Sequence, residues 1–115
     1  MVNQVNGMEV TNEKTEWGTV WKIQEHGVYR FAVYIYDDDP ETLYLSNVFV
    51  DKGHRGKGLG NKILSTTDEL AKKLGTKQIC LRVKIVSNAY EWYKRHGYKD
   101  LSEDDEENGY IWLIK

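Results

Sequence analysis

Residues 48–64, VFVDKGHRGKGLGNKIL, decide the fold of this chain. An apolar, β-branched run ends in a glycine-rich basic loop, and apolar positions at helical spacing follow the loop. Glycines let a main chain approach an anion closely, and the first N–H groups of a helix carry partial positive charge. The stretch therefore predicts a strand, a loop and a helix start that together bind a phosphate group. Positive charge in the same stretch comes from Lys52, His54, Arg55, Lys57 and Lys62.

Two well-known phosphate-binding patterns do not fit this loop. The P-loop requires Lys directly after the second glycine of its spacing, and here Leu59 follows Gly58. The dinucleotide fingerprint G-x-G-x-x-G fails in both registers, because Asn61 and Ile63 stand where its third glycine should be. A third pattern, R/Q-x-x-G-x-G/A after a strand, fits residues 55–60 (RGKGLG) in full.

This third pattern resembles the acetyl-CoA pyrophosphate loop of the GCN5-related N-acetyltransferase (GNAT) family. A second segment, residues 88–98 (NAYEWYKRHGY), is similar to that family's next signature, N…A…Y-x-x-x-G-F/Y on a helix. Four residues of it match in register: Ala89, Tyr93, Gly97 and Tyr98. The resemblance covers residues 42–114, which is most of the chain.

The resemblance implies an α/β (α+β) fold with a mixed, mostly antiparallel sheet, a central splayed pair of parallel strands and flanking helices. The implied activity is direct transfer of an acetyl group from acetyl-CoA, the co-substrate, to a primary amine. That amine belongs to an unidentified small molecule or peptide. The alternative is a non-catalytic acyl-CoA-binding or protein-interaction module on the same fold.

The resemblance also assigns roles to residues. Tyr93 matches the family's general acid for the leaving CoA thiolate, although at helical spacing it also fits a core aromatic. A main-chain N–H near residues 48–50 is the candidate donor to the developing oxyanion. Asn88 either belongs to the cofactor site after a shortened loop or only caps its helix. The predicted cofactor-binding residues are Val48, Phe49, Val50, Arg55, Gly56, Lys57, Gly58, Leu59, Gly60, Asn61 and Asn88.

The general base has no clear candidate. The family often places an acidic residue on the strand before the loop, whereas Ser46 and Asn47 occupy that region here. Water is then the alternative base. No metal is expected, because neither His54 nor His96 has a second ligand at metal spacing. Cys80, on a predicted central strand, is expected to be packed and not nucleophilic.

Composition limits the remaining possibilities. The chain has 115 residues, one Cys and a net charge of −2, which favours one domain (1–115) and gives no drive toward nucleic acid. No apolar stretch approaches the ~20 residues of a membrane span, and no leader pattern is present, so we expect a cytoplasmic protein without a membrane partner. An acidic run at 103–107 predicts a solvated loop, or alternatively a surface that attracts a cationic acceptor.

The predicted element order is β-β-β-α-β-α-β. Residues 1–16 are expected to be a frayed or loosely docked terminus, and Asn47 is a candidate for the same strand face as Leu43 and Leu45. Family members usually carry two helices between their first two strands, and residues 1–40 predict none. We therefore expect the acceptor side to be open or closed by a partner subunit. The predicted boundaries are a hairpin (17–23 and 28–36), a turn (37–40), a strand (42–50), a helix (about 58–74), a strand (77–84), a helix (88–96) and a last strand (109–114). The last strand is expected at a sheet edge, where it could pair with a second copy to form a homodimer.

Overall fold

The computed structural model describes residues 3–101 and 108–115 and joins eight strands in one sheet of order β1-β2-β3-β4-β5-β6-β8-β7. All neighbouring strands are antiparallel except β5 and β6, which confirms the mixed, mostly antiparallel sheet. The elements are β1 (Gln4–Val5), β2 (Met8–Lys14), β3 (Gly18–Glu25), β4 (Tyr29–Tyr36), β5 (Asp39–Val50), a 3-10 turn (Lys52–His54), α1 (Leu59–Leu74), β6 (Gln78–Lys84), α2 (Asn88–Arg95), β7 (Lys99–Asp100) and β8 (Tyr110–Ile114).

The first strands differ from the expectation of a loosely docked terminus over residues 1–16. There, β1 and β2 form a hairpin around Asn6-Gly7, both with positive φ, and Val5 and Met8 are buried. The Asn6 side-chain amide donates to Thr66 Oγ1 on α1 at 3.2 Å, which docks this turn on the helix. Asn-Gly is a strong signal for a two-residue hairpin turn. Pairing with β3 stabilises β2, whose own apolar pattern is too weak to predict a strand.

The hairpin of β3 and β4 is confirmed, with eight paired residues on each strand. The turn after it is shorter than the predicted 37–40, because Tyr36 pairs with Asp39 and leaves only two residues between the strands. Pro40 therefore lies near the start of β5, a position that a strand tolerates.

Both helices lie on one face of the sheet, which we call the inner face. Alternating residues of the strands join Ile63 and Leu70 of α1 and Tyr93 of α2 in one hydrophobic cluster. The opposite, outer face carries partly exposed aromatic rings 5.1–5.9 Å from their neighbours, and the cluster does not include them. Residues 3–51 contain no helix, so nothing in that part of the chain walls the outer face. Its rings are Trp17, Tyr34, Tyr36, Tyr44 and Trp112.

The parallel pairing of β5 with β6 lasts for only three residue pairs, of which Tyr44 with Cys80 is the last. Beyond it, β5 continues against β4 as far as Val50, and β6 continues against β8 as far as Lys84. The two strands therefore part in the middle of the sheet, as the predicted splay requires. The main-chain groups that face the gap lack the ladder partners of an ordinary parallel sheet.

A β-bulge lies beside this gap. Between Ala32 and Arg30 of β4, the facing strand advances from Ser46 to Phe49, which is one residue too many for regular pairing. Asn47 lies in the bulge with φ 55°, in the left-handed region. Asn adopts this conformation more readily than most other non-glycine residues. The bulge corrects the face predicted for Asn47, which lies among outer-face residues and not beside Leu43 and Leu45.

The last strand, β8, is not at the sheet edge as predicted. It lies between β6 and β7, because Lys99–Asp100 pairs with Leu113 and Ile114 and Leu101 N–H donates to the Trp112 carbonyl at 2.9 Å. A strand of two residues, such as β7, is too short to show an alternating pattern, so the sequence does not predict it. A homodimer through an open β8 edge therefore loses its basis.

The acidic run 103–107 lies outside the described residues. Within the described ranges, neither helix is long and apolar enough to cross a membrane.

The bulge leads to a stability prediction. Asn47→Val forces a β-branched residue into the left-handed region and should lower the free energy of unfolding by about 1–2 kcal/mol. Asn47→Gly, the matched control, removes that restriction and should unfold at nearly the same urea concentration as the unmodified protein. Equal losses for the two variants would contradict the bulge geometry.

Candidate functional site

A groove of about 450 Å³ opens on the inner face where β5 ends and α1 begins, and we call it the loop groove. The strand, the glycine loop, the first turn of α1 and one side chain of α2 form its walls. The lining residues are Val48, Val50, His54, Arg55, Gly56, Gly58, Leu59, Gly60, Asn61 and Trp92.

Short hydrogen bonds hold the loop in shape. The Asp51 carboxylate accepts from Gly53 N–H at 3.1 Å, and the Asp51 carbonyl accepts from His54 N–H at 2.8 Å. Arg55 Nε donates to the Val50 carbonyl at 3.1 Å, so this side chain folds back on the strand end. The loop's one acidic residue, Asp51, is therefore engaged in bonds to the loop's own backbone.

The start of α1 presents backbone donors to the groove. Gly56 and Gly58 have φ of 79° and 80°, and Gly58 is the N-cap residue, which has no side chain to bond the helix end. Lys62 N–H makes the first intrahelical bond, to the Gly58 carbonyl at 3.0 Å. The amides of residues 59–61 precede that bond and have no intrahelical acceptor. Together with the helix dipole they favour an anion at one end of the groove, and we call this end the anion site.

The positive side chains around this anion site are not neutralised. In the part of the chain that the structure describes, the ion pairs are Lys14–Asp37, Lys22–Glu13, Lys77–Glu41, Lys94–Asp100 and Lys115–Asp68. None of them involves Lys52, Arg55, Lys57 or Lys62. The loop therefore keeps a local excess of positive charge on a chain whose net charge is −2.

Trp92 forms the wall of the groove opposite the loop, a role that the sequence analysis did not assign. A Cβ at Gly60 would lie 2.9 Å from Trp92 Cζ2, so only glycine allows the indole this close to α1. His96 joins the same helices, with Nε2 2.9 Å from Asn61 Oδ1 and Nδ1 2.8 Å from the Trp92 carbonyl. The sequence signal was the third glycine of RGKGLG, which marks a close approach without naming the partner.

Tyr93 lies directly behind this wall. Its ring is buried, with its centroid 5.0 Å from that of Trp92 and 5.6 Å from that of Tyr98. Burial raises the pKa of the Tyr93 phenol to about 12. The hydroxyl therefore keeps its proton near neutral pH, so it is available as a donor and does not act as a base.

The structure brings together eight of the predicted cofactor residues and leaves three outside the groove lining. Phe49 points to the outer face, where the Arg30 guanidinium lies 4.9 Å from its ring centroid, and Lys57 is exposed. Asn88 is exposed and does not cap α2, which corrects the capping interpretation. Ser87 is the N-cap, because its extended backbone lets Oγ accept from Tyr90 N–H at 3.3 Å.

Two further candidates show no separate chemistry. Cys80 is buried, and desolvation raises the pKa of its thiol, which disfavours a nucleophilic thiolate. Among the described residues, no group of three or more His, Cys, Asp or Glu side chains is placed to hold a metal ion.

Comparisons with known proteins agree with this geometry. The family model described as Acetyltransferase (GNAT) domain matches residues 16–100. A thialysine N-epsilon-acetyltransferase of Bos taurus is 32% identical over 79 residues, and an uncharacterised N-acetyltransferase of Methanocaldococcus jannaschii is 32% identical over 76 residues. These alignments cover 68% and 65% of this chain, but the chain spans only 45% and 32% of those relatives.

A solved structure shows the same fold. The crystal structure of a GNAT family acetyltransferase from Elizabethkingia anophelis, with acetyl-CoA bound, superposes with a TM-score of 0.66 at 16% sequence identity. The alignment covers 84% of this chain and 74% of that one.

The Gly60–Trp92 contact predicts how the groove responds to one methyl group. Gly60→Ala should push the indole into the groove and weaken CoA binding about tenfold, as measured by isothermal titration. The fold should survive, because Ala favours a helix over Gly. Gly53→Ala is the control in the same loop, since its Cβ would lie 3.6 Å from the nearest atom, an ordinary contact. Unchanged CoA affinity in Gly60→Ala would contradict the assignment of Trp92 as a groove wall.

Proposed function

We propose that this chain, which belongs to the GNAT acetyltransferase family, binds acetyl-CoA in the loop groove and transfers its acetyl group to a primary amine. The observation that carries the proposal is the anion site: three backbone amides at the start of α1, near basic side chains that form no ion pair with the carboxylates of residues 3–101 and 108–115. A pyrophosphate is the part of acetyl-CoA that such a site recognises.

The residues of the groove fit the rest of that ligand. A Cβ at Gly56 or Gly58 would meet no atom within 4 Å, so the loop surface is open toward the groove. Val48 and Val50 line the groove from the strand that has lost its parallel neighbour. The unpaired main chain of that strand can bond the amides of a pantetheine arm that enters the gap between β5 and β6.

Acetyl-CoA supplies an activated thioester. The protein positions this thioester, stabilises the charge that develops on its carbonyl oxygen and donates a proton to its sulfur. The amine nitrogen forms a bond to the carbonyl carbon as the carbon–sulfur bond breaks, and the sulfur leaves as a thiolate that needs a proton. Tyr93 is the proposed donor, since the hydroxyl of this buried ring stays protonated near neutral pH. A main-chain N–H within residues 48–50 is the proposed donor to the carbonyl oxygen.

The proton that the amine loses goes to water in this proposal. No Asp or Glu is among the residues that line the loop groove. This same feature favours the second candidate function, a non-catalytic acyl-CoA-binding module. Tyr93 separates the two, because a binding module has no use for its proton.

The cofactor site is tested by charge at the helix start. Gly58→Asp places a carboxylate where the phosphate would bind and should weaken acetyl-CoA binding at least 100-fold in isothermal titration. Gly58→Asn has the same size and a similar tolerance of positive φ, so it isolates the charge and should bind considerably more tightly than Gly58→Asp. Gly27→Asp, at φ 76 in a hairpin turn with no atom within 4 Å, repeats the backbone strain and the charge away from the groove.

The site is supported if the unmodified chain binds acetyl-CoA with micromolar affinity and Gly58→Asp weakens this binding far more than Gly58→Asn or Gly27→Asp does. Absence of binding by the unmodified chain, or equal weakening by Gly58→Asp and Gly27→Asp, would refute it.

The catalytic role is tested by removing one hydroxyl. Tyr93→Phe should lower kcat roughly 100-fold or more on any primary amine that supports CoA thiol release, with unchanged acetyl-CoA affinity. Tyr98→Phe is the matched control, because it removes a buried hydroxyl that has no hydrogen-bond partner in the described residues. A loss of rate in Tyr98→Phe as large as in Tyr93→Phe would show a packing effect in place of proton donation.

A further inference from the structure

We propose that the acceptor is an amine that also carries a carboxylate, and that Arg30 binds this carboxylate on the outer face. The inference rests on the proposed acetyl transfer and names the substrate class. It starts from a second hollow of about 310 Å³, which we call the outer hollow. The hollow is lined by Lys22, Ile23, Gln24, Arg30, Phe31, Ala32 and Asn47.

The outer hollow exists because short side chains on the outer face stand beside longer ones. Ala32 pairs across the sheet with Lys22 of β3 and with Ser46 of β5. In the next row, Arg30 pairs with Gln24 and Phe49. Ala32 forms the floor of the hollow, and the side chains of Lys22, Gln24 and Arg30 form walls that end in donors.

The donor set of the outer hollow selects an anion. Its side chains supply two cations, Lys22 and Arg30, and two amides, Gln24 and Asn47, and no carboxylate is among the lining residues. Lys22 has a partner, since its Nζ lies 3.5 Å from a Glu13 carboxylate oxygen on β2.

Arg30 is the stronger anion-binding group. Within residues 3–101 and 108–115, no carboxylate lies within ion-pair distance of it. Its guanidinium stacks on Phe49, with 4.9 Å to the ring centroid, which restrains the group while leaving its edge free. A planar guanidinium with a free edge pairs with a carboxylate through two parallel hydrogen bonds.

The position of the outer hollow connects it to the reaction. Asn47 lines the outer hollow, and the next residue, Val48, lines the loop groove on the opposite face. The two cavities therefore lie on either side of one peptide, at the bulge where β5 has parted from β6. A small acceptor held by its carboxylate in the outer hollow can direct its amine into the gap that the acyl group enters from the inner face.

Three amines that share a 1,5-diaminopentane skeleton test the proposal: lysine, lysinamide and cadaverine. They present the same primary amine, and only lysine has a free carboxylate. We expect kcat/KM for lysine, measured by CoA thiol release, to exceed the values for the other two at least tenfold. In Arg30→Gln this preference should fall below threefold through a higher KM for lysine, while the rate with lysinamide and the KM for acetyl-CoA stay unchanged.

Arg95→Gln is the matched control, because Arg95 is exposed on α2 and lines neither cavity. Equal rates for the three amines, a preference for cadaverine, or a lysine preference that survives Arg30→Gln would each overturn the proposal. A cadaverine preference would instead agree with a cationic acceptor drawn by the acidic run 103–107. O-phosphoethanolamine against ethanolamine shows whether the site prefers a phosphate, which would also overturn the carboxylate assignment.

A second readout does not need turnover. The side-chain Nε–H resonance of Arg30, assigned by its loss in Arg30→Gln, should shift to saturation with sodium acetate and not with sodium chloride of equal concentration. An Arg30 resonance that acetate leaves unmoved overturns the proposal even if no amine reacts. Failure of the proposed function looks different, as absent acetyl-CoA binding and no thiol release with any amine.

Discussion

The short parallel pairing of β5 with β6 is the constraint on which the rest of the structure depends. Three residue pairs join the strands, and each strand then exchanges its partner for an antiparallel one. Open main-chain groups in the middle of a sheet cost free energy unless a ligand or water bonds them. A sheet that parts at this point is therefore suited to hold an extended ligand in place of a strand.

The groove and the outer hollow both follow from how β5 ends. The bulge at Asn47 resets the alternation of side chains, so that Val48 and Val50 face the loop groove while Phe49 supports Arg30 on the other face. Without the extra residue, the valines and the phenylalanine would change faces. Because of this one left-handed residue, the loop groove and the proposed acceptor site lie on opposite faces of the same strand.

The sequence predicted those parts of the site whose conformation depends on neighbouring residues, namely the glycine loop and the start of α1. Positive φ at Gly56 and Gly58 and the helix start at Leu59 depend on residues close in sequence. The Asn6-Gly7 hairpin had a local signal that the polar composition obscured. The remaining features arise from contacts between distant segments, such as Trp92 against Gly60 and the two-residue strand β7 against β8. No periodicity encodes such contacts, which explains why the sequence predicts no groove role for Trp92 and predicts β8 at a sheet edge.

The central claim, that the loop and the parted strand together bind acetyl-CoA, is tested most directly by backbone amide NMR with CoA as the titrant. The account predicts the largest shifts at the amides of residues 56–61 and along residues 46–50, with little change at Thr42–Tyr44, where the parallel pairing is intact. Shifts confined to the loop would leave the parted strand without a role. No saturable shift at millimolar CoA, or shifts centred on the aromatic rings of the outer face, would contradict the account.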